Sequence, residues 1–185
     1  GALSRTAADA LVVVLAGQAV PEGLDKALAG ALSAAVDAKD LELKSGKTLL
    51  LHQVPRVQPR RLVFAVAADG SPKAFHKALG AALGLLKSGG AKHVAVALAG
   101  CSATAAHAEM MAIAASEALY VYRHTKPSAP AASSIERVTL LADSKAADDL
   151  AAGLKRGVAI AEGVTLAREC ANRPGNHCTP TFLAH

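Results

Sequence analysis

The side chains with which this 185-residue chain could do chemistry include seven histidines and three cysteines. Four of these ten crowd the C-terminus: Cys170, His177, Cys178 and His185. A structural zinc site pairs its ligands at short spacing, such as two cysteines separated by about two to four residues. Here the two cysteines stand eight positions apart, and His177 and Cys178 are adjacent. Neighbouring residues rarely aim at one ion. The cluster therefore reads as buried or loop thiols, and no metal ligand is assigned.

Cys101 and Ser102 follow an apolar run and Gly100, at the kind of strand end where open α/β sheets place ligands. His107 and His124 are candidate bases for them. Neither a Gly-x-Ser-x-Gly elbow nor a cysteine-protease signature surrounds the pair. Residues 100–104 read as a turn into a helix cap. For phosphate, no Walker loop occurs, and the first apolar run ends in Ala16-Gly17-Gln18, with a single glycine. Lysines and helix N-termini leave scope only for weak anion contacts. No residue is assigned as catalytic, cofactor-binding or metal-binding.

The elements that would position such groups follow from periodicity. Residues 10–15 form a short apolar run, a strand buried on both faces. Leu24, Leu28, Leu32 and Val36 recur as a helix stripe, with Pro21 in its expected first turn. Residues 48–54 and 61–67 read as strands. Only residues 55–60 join them, too few for a crossover, so the pair is expected to be antiparallel. Ser71-Pro72 starts a helix carrying Phe75, Leu79, Leu83 and Leu86, stopped by Gly89-Gly90. A strand at 93–98 and a helix at 105–123 follow. That helix is expected to end in Arg123, His124 and Lys126, cations that suit a helix C-terminus. After a Pro/Ala/Ser linker come a strand at 135–141 and a last helix. Asp143 or Ser144 is expected to cap it, with Leu150, Leu154, Val158 and Ala161 on its buried face. The order β-α-β-β-α-β-α-β-α implies a mixed, mostly parallel sheet covered on both sides. The last helix should end near Cys170, with the tail beyond it projecting. Thr179-Pro180 then looks like the start of a helix that breaks off, as in a piece of a longer protein.

Composition narrows the classes. The chain is 52% hydrophobic and 19% charged, which excludes disorder as its dominant state. Forty-four alanines, no Trp, three Phe and two Tyr demand a close-packed aliphatic core. They leave too few rings for a single-strand stacking platform. No run of about 18 uninterrupted apolar residues points to a membrane span. The N-terminus lacks the layout of a signal peptide, and three scattered cysteines suit a reducing compartment. A cytoplasmic location is expected. The net charge of +5 is concentrated in residues 51–110, where seven Lys/Arg face two Asp/Glu. That stretch, with Arg56, Arg60 and Arg61, is a candidate surface for weak DNA binding.

Residues 157–184 resemble the interdomain segment of the leucyl aminopeptidases, the dinuclear-metal cytosol aminopeptidase family. The matching residues are Gly163, Ala167, Arg168, Asn172, Pro174, Asn176, Thr179, Pro180, Leu183 and Ala184. Residues 86–96 resemble the family's helix–turn–strand, and residues 120–126 its helix end with tyrosine and lysine. Ala67-Ala68-Asp69 departs from the pattern, because glycines are usual there.

The resemblance implies a three-layer, macro-domain-like α/β sandwich over residues 1–171. Residues 172–185 would be an interdomain linker and the truncated start of a catalytic domain. That second domain would carry two divalent metal ions, Mn or Zn, bound by carboxylates and a lysine. It would also hold a catalytic lysine and arginine. The family's Asn-Thr-Asp-Ala-Glu-Gly-Arg run is absent from this sequence, so no catalytic residue is carried over. As implied partners, the chain has its own catalytic domain, other subunits of a homohexamer and, at full length, peptide substrates. Two alternatives stand beside this reading: a nucleic-acid-binding module using residues 51–110, and a macro-type ADP-ribose binder.

Overall fold

The computed structural model describes residues 2–185. In chain order the elements are β1 (Ala10–Ala16), α1 (Lys26–Asp37), β2 (Thr48–His52), β3 (Arg61–Ala67) and α2 (Pro72–Leu86). They continue with β4 (His93–Ala99), α3 (Ala105–Leu119), β5 (Arg137–Leu141), α4 (Ala147–Asn172) and α5 (Pro180–Ala184). Short 3-10 turns occupy Leu3–Arg5 and Ser144–Ala146. The strands make one sheet in the order β2-β3-β1-β4-β5. Three neighbour pairs are parallel, and β2 runs antiparallel to β3, as the short Pro-containing link requires.

β1 lies at the centre, and Ala10 through Leu15 are fully buried. Alternation divides the strand side chains between two cores. Leu11, Val13, Leu15, Leu62 and Phe64 meet Leu28 and Leu32 of α1. Val12, Val14, Val63 and Val96 meet Phe75 and Leu79 of α2 and Met111 of α3. The result is the expected three-layer sandwich.

Four local expectations are corrected. Pro21 lies outside α1, which starts at Lys26. Asp25 is the N-cap: its Oδ1 accepts from Ala27 N and Leu28 N, both at 3.2 Å. Its Oδ2 accepts from Ser4 N at 2.8 Å, which ties the N-terminal turn to the helix. α3 stops at Leu119, because Tyr120 turns to extended backbone (φ −62°, ψ 131°). Arg123, His124 and Lys126 therefore sit in irregular chain and do not complement the helix dipole. Asp143 caps the 3-10 turn through Lys145 N rather than capping α4 itself.

The fourth correction concerns the packing face of α4. Of the stripe Leu150, Leu154, Val158 and Ala161, only Ala161 is buried. The residues pressed on α3 are Gly153, Gly157 and Ala161. A Cβ at Gly153 would fall 1.9 Å from the Ala105 carbonyl oxygen. Missing side chains let the two helix backbones approach more closely than leucines would.

α4 ends at Asn172, close to the expected position. The tail is largely exposed but is tied back instead of projecting freely. Asn172 Nδ2 donates to the Tyr120 hydroxyl at 3.3 Å. The Arg173 guanidinium lies 4.7 Å from the centre of the Phe182 ring, and the His177 ring stands edge-on to His124 at 5.9 Å.

Candidate functional site

The C-terminal ends of β1, β3 and β4 converge on Gly17, Gly70 and Gly100, the place where a ligand would sit in an open α/β sheet. Gly17 and Gly100 take left-handed backbone, φ +103° and +92°. At Gly100 a Cβ would also stand 3.2 Å from the Ala16 carbonyl oxygen. At this point backbone packs on backbone, and beside it a cavity of about 560 Å³ opens, lined by Ala16, Val20, Pro21, Gly100 and Cys101 with no charged side chain but Glu22.

His107 is buried beneath this corner. Its Nδ1 accepts from Thr104 N at 3.2 Å, so Nε2 carries the proton and donates to the Gly70 carbonyl at 3.1 Å. Its ring packs edge-on against Phe75, with centroids 5.4 Å apart. Both nitrogens are committed to holding the start of α3 against the loop after β3. Cys101 Sγ faces the same Gly70 carbonyl at 3.8 Å. Burial, and then the Asp69 carboxylate, push the Cys101 thiol above its ordinary range. A nucleophilic cysteine requires the opposite shift. His124 takes no part here, because it lies against His177. The corner is a structural latch. Gly70 and Thr104 complete it: Thr104 lies in the expected turn into a helix cap, with its hydroxyl 2.8 Å from His107 Nδ1, whereas Gly70 acts through its carbonyl alone and leaves no signal in the sequence.

The C-terminal cluster is likewise dispersed. Among the described residues, no three His, Cys, Asp or Glu side chains come together as a metal site. Cys170 and Cys178 are half-buried and free. Most of the basic stretch meets at one end of the sheet: Arg56 and Arg60 lie in the hairpin link, Arg61 starts β3, Lys87 closes α2 and Lys92 lies beside the start of β4. Lys73 opens α2, at the opposite end of the sheet. Lys92 is paired with Glu136 at 3.4 Å.

The feature left without an explanation lies elsewhere. α4 packs on α3 and stands off the sheet. A groove of about 710 Å³ opens between α3, α4 and β5, lined by Met111, Ala115, Leu119, Val138, Leu154 and Val158. The sequence signal for it is the scatter of apolar residues around α4, beyond what one packing face needs.

The model of the cytosol aminopeptidase family, N-terminal domain, matches residues 10–128. The chain belongs to the cytosol aminopeptidase family. A probable cytosol aminopeptidase of Methylibium petroleiphilum is 55% identical over 182 residues, covering 98% of this chain and 37% of that protein. One from Polaromonas naphthalenivorans is 38% identical, covering 96% of the chain and 34% of that protein. The chain thus spans about a third of the length of the aminopeptidases it matches. Among solved structures, a mutant of tomato leucine aminopeptidase superposes with a TM-score of 0.75 at 23% identity, over the whole chain and 39% of its own. The bottromycin maturation enzyme BotP in complex with Mn gives 0.68 at 20%, over 96% of this chain and 35% of its own. At such identities these likenesses establish the fold. The family match and the 55%-identical relative bear out the N-terminal aminopeptidase reading and point to neither the nucleic-acid module nor the ADP-ribose binder. Among the described residues, no helix is long and apolar enough to cross a membrane.

Proposed function

We propose that this chain is the non-catalytic N-terminal domain of a cytoplasmic leucyl aminopeptidase. At full length that enzyme releases N-terminal amino acids such as leucine from peptides. Residues 1–171 form the domain proper, and residues 172–185 are the linker into the catalytic domain. The domain's work is assembly, within a homohexamer. The observation that carries the reading is the 55% identity over nearly all of this chain but only 37% of the related aminopeptidase.

The full-length enzyme would use two divalent metal ions, manganese or zinc, which supply an activated water and a polarised scissile carbonyl when bound. The residues of this chain do not fit that role. No carboxylate cluster of the required kind forms among the described residues, and the latch at His107 has no free nitrogen. What this chain contributes is a rigid body ending in a 26-residue helix, α4, which sets where the next domain begins.

The test is to express the complete gene and assay it on a leucyl chromogenic amide with added manganese or zinc. Metal-dependent turnover, lost on chelation and recovered on readdition, is expected. A full-length protein with no such turnover on any N-terminal amino acid would overturn the reading.

A further inference from the structure

The groove between α3, α4 and β5 is apolar and open on the side away from the sheet. Leu154 is 39% exposed, Val158 42% and Leu166 66%. A contiguous apolar surface of this kind marks a place where something docks. Its rim is polar: Glu162 and Arg137 border it and make no ion pair among the described residues. β5 is the last strand of the sheet, so its outer backbone groups are unpaired beside the same opening.

We propose that this groove is the seat of the catalytic portion of the same polypeptide, which lays an apolar segment over Val158 and Leu166. The proposal rests on the reading of the chain as an aminopeptidase N-terminal domain. Two observations choose this occupant over a second copy of the chain. Nearly two thirds of the 55%-identical relative lies outside the matched region, and the family match is to the N-terminal domain, so that portion follows it. The chain also leaves α4 at Asn172, next to the end of the groove lined by Leu166 and Glu169. The downstream polypeptide is therefore tethered to the opening by only residues 173–185, and its effective concentration there far exceeds that of a separate molecule. An occupant that meets this rim carries apolar side chains flanked by one cation, opposite Glu162, and one anion, opposite Arg137.

The structure provides a matched control. Ile160 is 44% exposed, almost the same as Val158, but it lies outside the groove lining. In the full-length enzyme, Val158→Cys, Leu166→Cys and Ile160→Cys are each treated with iodoacetamide, and labelling is read peptide by peptide. Cys at 158 and 166 should react about tenfold or more slowly than Cys at 160, because labelling then needs local opening. Equal rates in an enzyme with full turnover would overturn the groove assignment and leave the aminopeptidase reading intact. A full-length protein without turnover would remove both. The occupant is identified by attaching a benzophenone at Leu166→Cys and irradiating. A cross-link to a peptide beyond residue 185 is expected. A cross-link to residues 1–185 of another copy would overturn the proposal.

Discussion

Gly157 of α4 lies so close to Glu109 of α3 that a Cβ on it would stand 2.4 Å from the Glu109 carbonyl oxygen. The same turn of α4 places Arg156 Nε 3.0 Å from Glu109 Oε2, so an ion pair brackets the backbone contact. Gly157→Ala must therefore push the helices apart. We expect a loss of about 1–3 kcal/mol, the usual cost of overpacking. Gly163, also in α4, has nothing within 4 Å of its would-be Cβ. Gly163→Ala should stabilise by about 0.5–1 kcal/mol, through helix propensity alone. Urea unfolding of both variants checks the pair, and a neutral Gly157→Ala would show that α4 does not dock as described.

Asp25 joins the N-terminal turn to α1. Burial pushes its carboxyl up, but the Ser4, Leu28 and Ala27 N–H groups outweigh that and leave it below the ordinary carboxylate range. Asp25→Ala should cost about 1–2 kcal/mol at neutral pH, as for other lost caps. Because the folded state binds the proton less readily, this contribution is complete above the ordinary carboxylate range. It fades as pH falls through the folded value. The stability gap between wild type and variant should then narrow in acid. A gap that stays constant down to strongly acidic pH would remove the charge from the account.

Cys101 should be a slow nucleophile. Its raised thiol keeps it protonated near neutral pH, so alkylation should lag behind that of free cysteine and rise only at higher pH. Asp69→Asn removes one of the two causes and should speed the reaction, while burial persists. If the variant reacts no faster, Asp69 does not act on the thiol.

The 185-residue chain by itself should not hydrolyse a leucyl amide with manganese or zinc present. No set of carboxylates at metal-ligand spacing occurs in its sequence. Turnover that survives repurification and exceeds a metal-only blank would contradict this.

Residue types and spacing were enough to determine the element order, the burial of the apolar run at residues 10–15 on both faces, and the antiparallel hairpin. Each of these depends on local quantities: alternation, helix stripes and the length of a link. The N-terminal aminopeptidase reading was also legible, through the ordered residues between Gly163 and Ala184. The tertiary structure alone decided which face of α4 packs. Hydrophobic periodicity favours Leu154 and Val158, yet backbone proximity at Gly153 and Gly157 overrides it, because a side chain that is absent leaves no apolar signal to read. It also decided that His107 is a latch, since the carbonyl of Gly70, thirty-seven residues away, consumes its second nitrogen. It decided, too, where the basic stretch lies: α2 runs back alongside β3, so Lys73 stands at one end of the sheet while Lys87 returns to the end that holds Arg56, Arg60, Arg61 and Lys92.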